Sequence, residues 1–411
     1  MSNPPPAPPL RRCIRARLIL LFSATALTVF ISLYALPFAW RSDPPSLPAH
    51  ALFESLVRAS FAAGEEIVRL RGVAGGADGR YADGSVELHT EADARSAAIF
   101  ARVGHAFPGL LVINEESVAA GVPMRAVAGA DGDAGGGLRV THHGAHARGA
   151  RWPLAELVVW IDPLDATAEY SAGLDAFVTL SACVARRGVP IIGIVYQPFE
   201  NRLYWTSAGT GANVAFDVEA AVSAERSRET RETAWGDGGE SGGGGGRRGG
   251  CACASARGAQ SARGNVTLSK DGARVVSDGL RVVVSRAHGE SDGEVGLGVA
   301  LARAADAAVA GAHAPVLTPA GGAGYKILEL VEGRADVYAH RRGIRKWDLC
   351  AGDALLRAAG GGLTDWGGEP ICYCAPAGLE AIHVSGVLAA ARADVHTALS
   401  SALDGGREAA G

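Results

Sequence analysis

Hydrophobic positions along residues 50–400 follow two different periods. Between residues 50 and 71, apolar side chains recur every three or four positions, which is the spacing of one buried helix face. The same criterion predicts further helices near 91–107, 293–309, 324–332 and 347–359. Short runs rich in Val and Ile predict strands near 110–114, 157–162, 175–184, 190–197, 202–206, 281–285, 335–340 and 381–385. This mixture of helices and strands predicts a layered α/β domain.

The first fifty residues show a different pattern. Residues 18–40 contain no charged side chain, and they follow Arg11, Arg12, Arg15 and Arg17. Such a run is long enough to cross a bilayer, and arginines before it favour a cytoplasmic N-terminus. We expect a cytoplasmic tail at 1–17, a single transmembrane signal anchor at 18–40, a Pro-rich stem at 41–49 and a lumenal domain at 50–400. The alternative is a cleaved signal peptide, although the run is long for one and has no clear Ala-x-Ala cleavage site.

Composition limits the classes of function. The 411-residue chain is 48% hydrophobic, which is sufficient for a large core, and its net charge of −4 gives no indication of nucleic-acid binding. Segments 125–152 and 219–272 are rich in Gly, Ala, Ser and Arg, so we expect disordered insertions there, and a flexible C-terminal tail at 401–411. Asn265 begins an Asn-Val-Thr triplet that is a candidate glycosylation site. Seven cysteines permit disulfides, but the sequence does not define their pairing.

Carboxylates stand at the ends of several predicted elements. Asp162 and Asp165 lie in an Asp-Pro-Leu-Asp turn that ends an apolar strand, and Glu115 follows the strand near 110–114. Asp93 and Asp348 stand near the beginnings of helices. Singly, each has a simpler explanation as a turn residue or a helix cap. Together they indicate a set of hard oxygen ligands that could hold Mg²⁺ against a phosphate.

A second group of residues follows the strand near 281–285. Ser285 and His288 come at its end, and Gly322 and Lys326 belong to the Gly-rich segment Pro-Ala-Gly-Gly-Ala-Gly-Tyr-Lys before a helix. Backbone N–H groups of such a loop can approach phosphate oxygens, and a lysine adds positive charge. The spacing is not that of a Walker loop. An ordinary Gly-rich turn before a helix is the alternative.

Three of these segments resemble the inositol monophosphatase superfamily, whose members carry a Glu-Glu pair, then Asp-Pro-Leu/Ile-Asp-Gly/Ala-Thr, then Trp-Asp before a small-residue helix. The matching segments here are INEES at 113–117, WIDPLDAT at 160–167 and KWDLCAGDALLRAAGG at 346–361. The resemblance implies an α/β/α/β/α sandwich, often a homodimer, with two or three Mg²⁺ ions and sensitivity to lithium. It implies these metal ligands: Asp93, Glu115, Asp162, the Leu164 carbonyl, Asp165 and Asp348. Asp93 and Thr167 would orient the attacking water.

The substrate expectation also comes from resemblance. Ala166 departs from the glycine of inositol monophosphatase itself but suits a Golgi-resident branch that reads Asp-Pro-Leu-Asp-Ala-Thr-x-Glu-Tyr. Ser285, His288, Gly322 and Lys326 match positions that contact nucleotide in 3′(2′),5′-bisphosphate nucleotidases. The implied reaction is hydrolysis of 3′-phosphoadenosine 5′-phosphate, a by-product of sulfotransferases, to AMP and phosphate in the Golgi lumen. The alternatives are an inositol or sugar phosphatase, or a membrane-anchored scaffold without activity.

Overall fold

The computed structural model describes residues 45–72, 76–80, 86–119, 150–207, 213–216, 254–255, 266–268, 274–276, 279–286, 301, 314–378 and 383–408. The chain divides into two compact units, Met1–Ser46 and Leu47–Gly411, and the layered fold belongs to the second unit. The predicted anchor at 18–40 lies outside the described residues. Within the described ranges, no helix combines the length and apolar character needed to cross a membrane.

The described elements agree with the alternation predicted from the sequence, and the helix predicted near 293–309 lies outside the described residues except for residue 301. The helices are α1 (Ala49–Arg69), α2 (Glu91–Ala106), α3 (Glu115–Ala119), α4 (Thr167–Ala172), α5 (Ala323–Val331), α6 (Lys346–Ala358) and α7 (Ala393–Glu408). The strands are β1 (Ser46–Pro48), β2 (Gly76–Arg80), β3 (Val86–Thr90), β4 (Leu111–Asn114), β5 (Arg151–Pro153), β6 (Leu157–Asp165), β7 (Thr179–Arg186), β8 (Val189–Gln197), β9 (Arg202–Ser207), β10 (Asn213–Phe216), β11 (Ala254–Ser255), β12 (Val266–Leu268), β13 (Arg274–Val276), β14 (Arg281–Ser285), β15 (Val316–Ala320), β16 (Val337–His340), β17 (Ile344–Arg345), β18 (Gly362–Asp365), β19 (His383–Val384) and β20 (Val387–Ala390).

The larger sheet has the strand order β11-β10-β9-β8-β7-β6-β4. Its neighbours are antiparallel except β4 and β6, which run parallel. All nine residues of β6 are buried. Val159 and Ile161 face one core, and Val158 and Trp160 face another. A strand covered on both faces needs apolar side chains at every position, which explains the continuous apolar run before Asp162.

Helices α1 and α2 cover the first face of the larger sheet. The apolar face predicted for α1 is buried. Leu52, Phe53 and Leu56 of this helix pack in the same core as Phe100 of α2 and Ile161 of β6. Helix α2 begins with a capping box. The Thr90 hydroxyl accepts a hydrogen bond from the Asp93 amide, and the Asp93 carboxylate accepts one from the Thr90 amide. The predicted N-terminus of this helix is thus confirmed.

The second face of the larger sheet packs on α5 and α6, which also contact a smaller sheet of order β15-β14-β16-β20-β18. In this sheet β14 runs parallel to both β15 and β16. Helix α7 covers its outer face, where Val395 and Leu399 join the core. The layers are therefore α/β/α/β/α, as the family resemblance implied.

Several boundaries differ from the sequence-based expectations. Strand β6 continues through the Asp-Pro-Leu-Asp turn with a register shift opposite β7, and β7 begins only at Thr179, after a 3-10 turn at Asp175–Phe177. Strands β15, β18 and β20 were not predicted, because they are short and lack a clear apolar period. Helix α7 extends into 401–411, where a flexible tail was expected. The expected insertion at 219–272 contains the short strands β11 and β12.

Helix α6 rests directly on the larger sheet at Gly193 of β8, and this contact predicts a cost for any side chain there. A Cβ at Gly193 would lie 2.4 Å from the Ala351 carbonyl oxygen and 2.7 Å from the Ala354 Cβ. Gly193→Ala should therefore lower the free energy of unfolding by about 1–3 kcal/mol in urea titration. Gly378→Ala, where nothing lies within 4 Å, is the matched control. Equal stability of the two variants would contradict this packing.

Candidate metal-dependent active site

Three carboxylates converge where the larger sheet meets α6. Each of Glu115, Asp162 and Asp348 offers one oxygen, and these oxygens all lie within 4.8 Å of one another. The parallel register of β4 and β6 pairs Asn114 with Ile161, so Glu115, the first residue of α3, comes beside Asp162 of β6. Helix α6 brings Asp348 from the opposite side. Residues far apart in sequence thus form one acidic cluster, as the sequence predicted.

The cluster is electrostatically costly without a cation. Burial raises the pKa of Asp162 well above its ordinary value, and Glu115, Asp165 and Asp348 raise it further. Asp162 is 1% exposed, so water cannot screen this repulsion. Its Oδ1 accepts a hydrogen bond of 3.1 Å from the Leu164 amide, which fixes the carboxylate in the turn. Several carboxylate oxygens converging on one point are the donors that Mg²⁺ prefers, so the residues present fit such an ion.

The second carboxylate of the Glu-Glu pair does not belong to this cluster. Glu116 Oε2 lies 2.7 Å from His89 Nδ1, and the Glu116 amide donates to Asn114 Oδ1 at 3.0 Å. The adjacent carboxylates therefore have different surroundings, which reduces the repulsion between them. Only Glu115 was expected to be a ligand, and the positions of these two side chains are in keeping with that choice.

Asp165 lies beside the cluster but is held by hydrogen-bond donors. Its Oδ2 accepts from the Gly324 amide at 2.7 Å and from Thr179 Oγ1 at 3.0 Å, and its Oδ1 accepts from the Ala323 amide at 3.2 Å. Burial raises the pKa of Asp165, whereas Lys326 and these donors oppose the rise. Asp165 therefore caps the N-terminus of α5 in addition to lining the site. Its predicted role as a metal ligand stays a prediction.

These contacts give the Gly-rich loop a structural explanation. Gly322 has φ +56°, and a Cβ there would lie 2.9 Å from Asp165 Oδ2. A Cβ on Gly324 would lie 2.5 Å from Thr179 Oγ1. The glycines thus allow the loop backbone to approach the Asp165 carboxylate. Neither a phosphate nor a nucleotide is required to explain them, so the contact of Gly322 with nucleotide stays a prediction.

Asp93 and Thr167, to which the resemblance gave a role in orienting water, are hydrogen-bonded to each other, and that role stays a prediction. Thr167 Oγ1 lies 3.0 Å from Asp93 Oδ1 and 3.1 Å from the Leu164 carbonyl oxygen, so its hydroxyl proton can be shared between them. Asp93 is 2% exposed. Burial raises the pKa of Asp93, and hydrogen bonds from Thr90 and Thr167 oppose that shift.

The turn between β6 and α4 is strained. Ala166 has φ 73° and ψ 43°, in the left-handed region that residues with a Cβ rarely adopt. The glycine that inositol monophosphatase itself has at this position would adopt this conformation without a steric penalty, whereas Ala166 adopts it at an energetic cost. The conformation directs Thr167 toward Asp93 and begins α4 immediately after Asp165.

The predicted nucleotide-binding residues have different surroundings. Ser285 ends β14 and lines the cavity. Lys326 also lines it but is 4% exposed, donating to the Ala320 carbonyl oxygen at 3.4 Å with Nζ 5.3 Å from the Tyr338 ring centroid. Burial lowers the pKa of Lys326, and neighbouring carboxylates oppose this change. His288 and Asn265 lie outside the described residues.

The cavity has a volume of 280 Å³ and adds residues that were not assigned from the sequence. Glu169 of α4 and His340 at the end of β16 both line it. Burial raises the pKa of Glu169, with a smaller contribution from Asp165. Glu169 belongs to the motif Asp-Pro-Leu-Asp-Ala-Thr-x-Glu-Tyr, so a signal for it was present. His340 could be found only from the pairing of β16 with β14.

The alternative explanation of Asp348 as a helix cap holds only in part. Asp348 is not the N-cap of α6, which begins at Lys346 after Arg345. Asp348 is the third helical residue, and its Oδ2 accepts a hydrogen bond of 3.0 Å from the Arg345 amide. The carboxylate therefore still stabilises the helix N-terminus while facing the cluster.

Comparison with known proteins agrees with this fold. A family model described as the inositol monophosphatase family matches residues 50–234 and 268–403. The chain therefore belongs to the inositol monophosphatase family, which is a family of phosphoric monoester hydrolases. The extragenic suppressor protein suhB from Bartonella henselae has a similar fold, with a TM-score of 0.51 at 18% identity over 87% of this chain and 99% of that chain.

Two curated relatives are similar to this chain in sequence. Inositol monophosphatase 3 of Danio rerio is 30% identical over 335 residues, which cover 79% of this chain and 74% of that protein. The Golgi-resident adenosine 3′,5′-bisphosphate 3′-phosphatase of Homo sapiens is 31% identical over 253 residues, which cover 60% of this chain. The chain spans about half the length of this second relative, 51%.

The carboxylate cluster predicts a pH-dependent instability of the metal-free protein. Because the pKa of Asp162 is raised on folding, the folded state binds its proton more tightly, and stability falls as pH rises from about 4 through that higher pKa. In EDTA at pH 7, Asp162→Asn should therefore unfold with about 1–4 kcal/mol more free energy than wild type. The amide oxygen can still accept from Leu164.

The measurement is urea unfolding with EDTA and with Mg²⁺ at pH 4 and pH 7. The advantage of Asp162→Asn should shrink at pH 4, where wild type is protonated, and Mg²⁺ should stabilise wild type only. Glu54→Gln, on the α1 surface beside Arg58, is the control and should behave as wild type. A variant less stable than wild type in EDTA at pH 7 would contradict the repulsion.

Proposed function

We propose that the chain is a Mg²⁺-dependent phosphatase that hydrolyses the 3′-phosphate of 3′-phosphoadenosine 5′-phosphate, releasing AMP and phosphate. The observation that carries this proposal is the convergence of Glu115, Asp162 and Asp348 within 4.8 Å at one end of a cavity. Such a cluster is a poor site for an anionic substrate unless cations occupy it. A phosphate monoester that binds together with divalent cations would fit this site, because the cations would neutralise the carboxylates and attract the phosphate.

The residues divide the chemistry between them. Glu115, Asp162 and Asp348 would hold Mg²⁺, with Asp93, Asp165 and the Leu164 carbonyl oxygen as further proposed ligands. Bound Mg²⁺ would polarise the phosphate and lower the pKa of a water. Thr167 Oγ1, 3.0 Å from Asp93 Oδ1, can donate its proton to that carboxylate and accept a hydrogen bond from the attacking water. The water oxygen would bond to phosphorus as the bond from phosphorus to the 3′ oxygen breaks. One proton of the water would stay with the released phosphate, and the other would be transferred to the 3′ oxygen, so that the ribose recovers its hydroxyl.

Two features support a bisphosphate nucleotide as the substrate. The human relative is described as an adenosine 3′,5′-bisphosphate 3′-phosphatase. In this chain, Ser285, Gly322 and Lys326 line the same cavity as the carboxylates, so groups proposed to contact nucleotide stand beside the proposed reaction centre. His288 completes the proposed set. Lys326 would act mainly through its charge, since its ammonium is largely buried.

A small phosphomonoester such as an inositol phosphate is the second candidate. The Danio rerio relative named inositol monophosphatase 3 matches a larger share of this chain than the human bisphosphate phosphatase does. The carboxylate cluster would serve either substrate equally, because it acts on the phosphate alone. The discrimination must therefore come from the other wall of the cavity.

The proposed setting is the Golgi lumen, behind one membrane span at 18–40. Protease treatment of sealed microsomes should spare residues 42–411 and trim only the short N-terminal tail, and digestion of the main domain without detergent would refute this topology. Enzymatic removal of a glycan should change the electrophoretic mobility of wild type but not that of Asn265→Gln.

The assembly and the ion requirement follow from the family resemblance. Sedimentation should report a homodimer, and lithium should inhibit turnover. Two or three Mg²⁺ ions per chain are expected by calorimetric titration.

A side-by-side assay of phosphate release tests the substrate directly. Purified enzyme is given 3′-phosphoadenosine 5′-phosphate or inositol 1-phosphate, with Mg²⁺ or with EDTA. We expect hydrolysis of the nucleotide to require Mg²⁺ and to exceed that of the inositol phosphate in kcat/KM by at least tenfold, about 1.4 kcal/mol in transition-state binding. Preference for inositol phosphate would favour the second candidate. No release from either substrate would refute the phosphatase proposal.

Lys326→Met separates two roles for the buried ammonium in the same assay. If Lys326 attracts the second phosphate of the nucleotide, loss of a charge-assisted contact should lower kcat/KM for the bisphosphate by about ten- to a hundredfold and affect inositol 1-phosphate much less. If it only balances Asp165 and its neighbours, both substrates should lose equally. Equal losses would overturn the nucleotide-binding role of Lys326.

A further inference from the structure

A buried disulfide joins the two elements that hold the acidic cluster together. Cys183 lies on β7 and Cys350 on α6, 167 positions apart in sequence, with their Cα atoms 5.7 Å apart. Both side chains are completely buried within the core between the larger sheet and the helices. The sequence permitted disulfides without defining this pair.

The disulfide lies close to the proposed ligands on both sides. On the sheet, Ser181 of β7 is paired with Asp162 of β6, and Cys183 follows two residues later. On the helix, Cys350 is two residues after Asp348, an axial rise of about 3 Å. The covalent link therefore connects the strand beside Asp162 with the helix that carries Asp348.

The cluster creates a need for such a link. Asp162 belongs to strand β6 and Glu115 follows strand β4, whereas Asp348 belongs to helix α6. This helix packs directly on the sheet at Gly193 and shares a hydrophobic core with it. Repulsion among buried carboxylates would move Asp348 and its helix away from the sheet whenever no cation is bound.

We propose that the Cys183–Cys350 disulfide is a positioning device that holds Asp348 in register with Asp162 and so preorganises the metal site. This inference rests on the proposed function, because it assumes that the cluster binds Mg²⁺. The link fixes the distance between helix and sheet before the ion arrives, so that binding does not have to draw the helix back. It also suits an oxidising compartment.

The chain offers a matched control in its second disulfide. Cys372 and Cys374 are bonded to each other, two positions apart, and both are exposed. They lie against Gly188, at the turn between β7 and β8. Neither cysteine is among the residues that line the cavity. Replacing this pair removes one disulfide while leaving Cys183, Cys350 and the residues that line the cavity unchanged.

The first measurement is peptide mapping of the unreduced protein after alkylation of any thiols. We expect a cross-linked pair of peptides that contain Cys183 and Cys350. Recovery of both cysteines as alkylated thiols would overturn the proposal, whatever the activity of the enzyme.

The second measurement is Mg²⁺ binding by calorimetry, without substrate, at a temperature where circular dichroism shows every variant folded. Cys183→Ala, Cys350→Ala and the double variant should each bind Mg²⁺ about tenfold more weakly than wild type. Their Tm should fall by roughly 10 °C, because the link closes a long loop. The double variant should be no worse than either single variant, since one bond is lost in all three. Cys372→Ser/Cys374→Ser should bind Mg²⁺ as wild type does.

The outcomes separate the inference from the function on which it rests. Lower Tm with unchanged Mg²⁺ affinity would make the disulfide a purely structural link and overturn its positioning role. Additive losses in the double variant would show that the two side chains act independently, which also overturns it. A wild-type protein that binds no Mg²⁺ would instead refute the proposed function, while peptide mapping would still report whether the link forms.

Discussion

Repulsion among buried carboxylates is the constraint on which the rest of this structure depends. Glu115, Asp162 and Asp348 meet at one point, and burial strengthens every unfavourable interaction between them. Folding must therefore generate enough favourable packing to bring three negative charges together. The continuous apolar run of β6 and the two cores on its faces supply that packing, and the strand delivers Asp162 at its end. Stability and chemistry are thus coupled at this position.

Hydrogen-bond donors and a lysine reduce the energetic cost of burying Asp93 and Asp165, which lie outside the cluster of three carboxylates. Asp165 accepts hydrogen bonds from two amides at the N-terminus of α5, where the helix dipole also favours negative charge. Asp93 participates in a capping box and accepts from Thr167. Lys326 brings positive charge close to Asp165. Carboxylates at the edge of the site are therefore stabilised by hydrogen bonds and positive charge from the protein. We propose that cations stabilise the three carboxylates at the centre.

Much of this arrangement could be predicted because the signals were local. Helix α2 has its capping box in sequence, and β6 is a run of apolar residues that stops at Asp162. The family motifs then placed Glu115 and Asp348 in the same site. Short polar strands such as β18 have no periodic signal, since their stability comes from pairing with β20 rather than from their own residues.

Other features depended on long-range geometry that a sequence does not reveal. The burial of Lys326 results from the stacking of α5 between two sheets, whereas motif reasoning indicated only its positive charge. The pairing of Cys183 with Cys350 depends on how α6 crosses β7. The close approach of the Gly-rich loop to Asp165 also follows from that packing, and it gives Gly322 a structural role in addition to its predicted contact with nucleotide.

The most direct test of the metal site is anomalous diffraction from crystals grown with Mn²⁺ in place of Mg²⁺. We predict an anomalous peak within about 2.0–2.3 Å of oxygens from Glu115, Asp162 and Asp348, a coordination distance typical of hard divalent cations. Further peaks near Asp93 or Asp165 would define additional ions. A structure at high Mn²⁺ concentration with no peak among these three carboxylates would contradict the claim that they form a metal site.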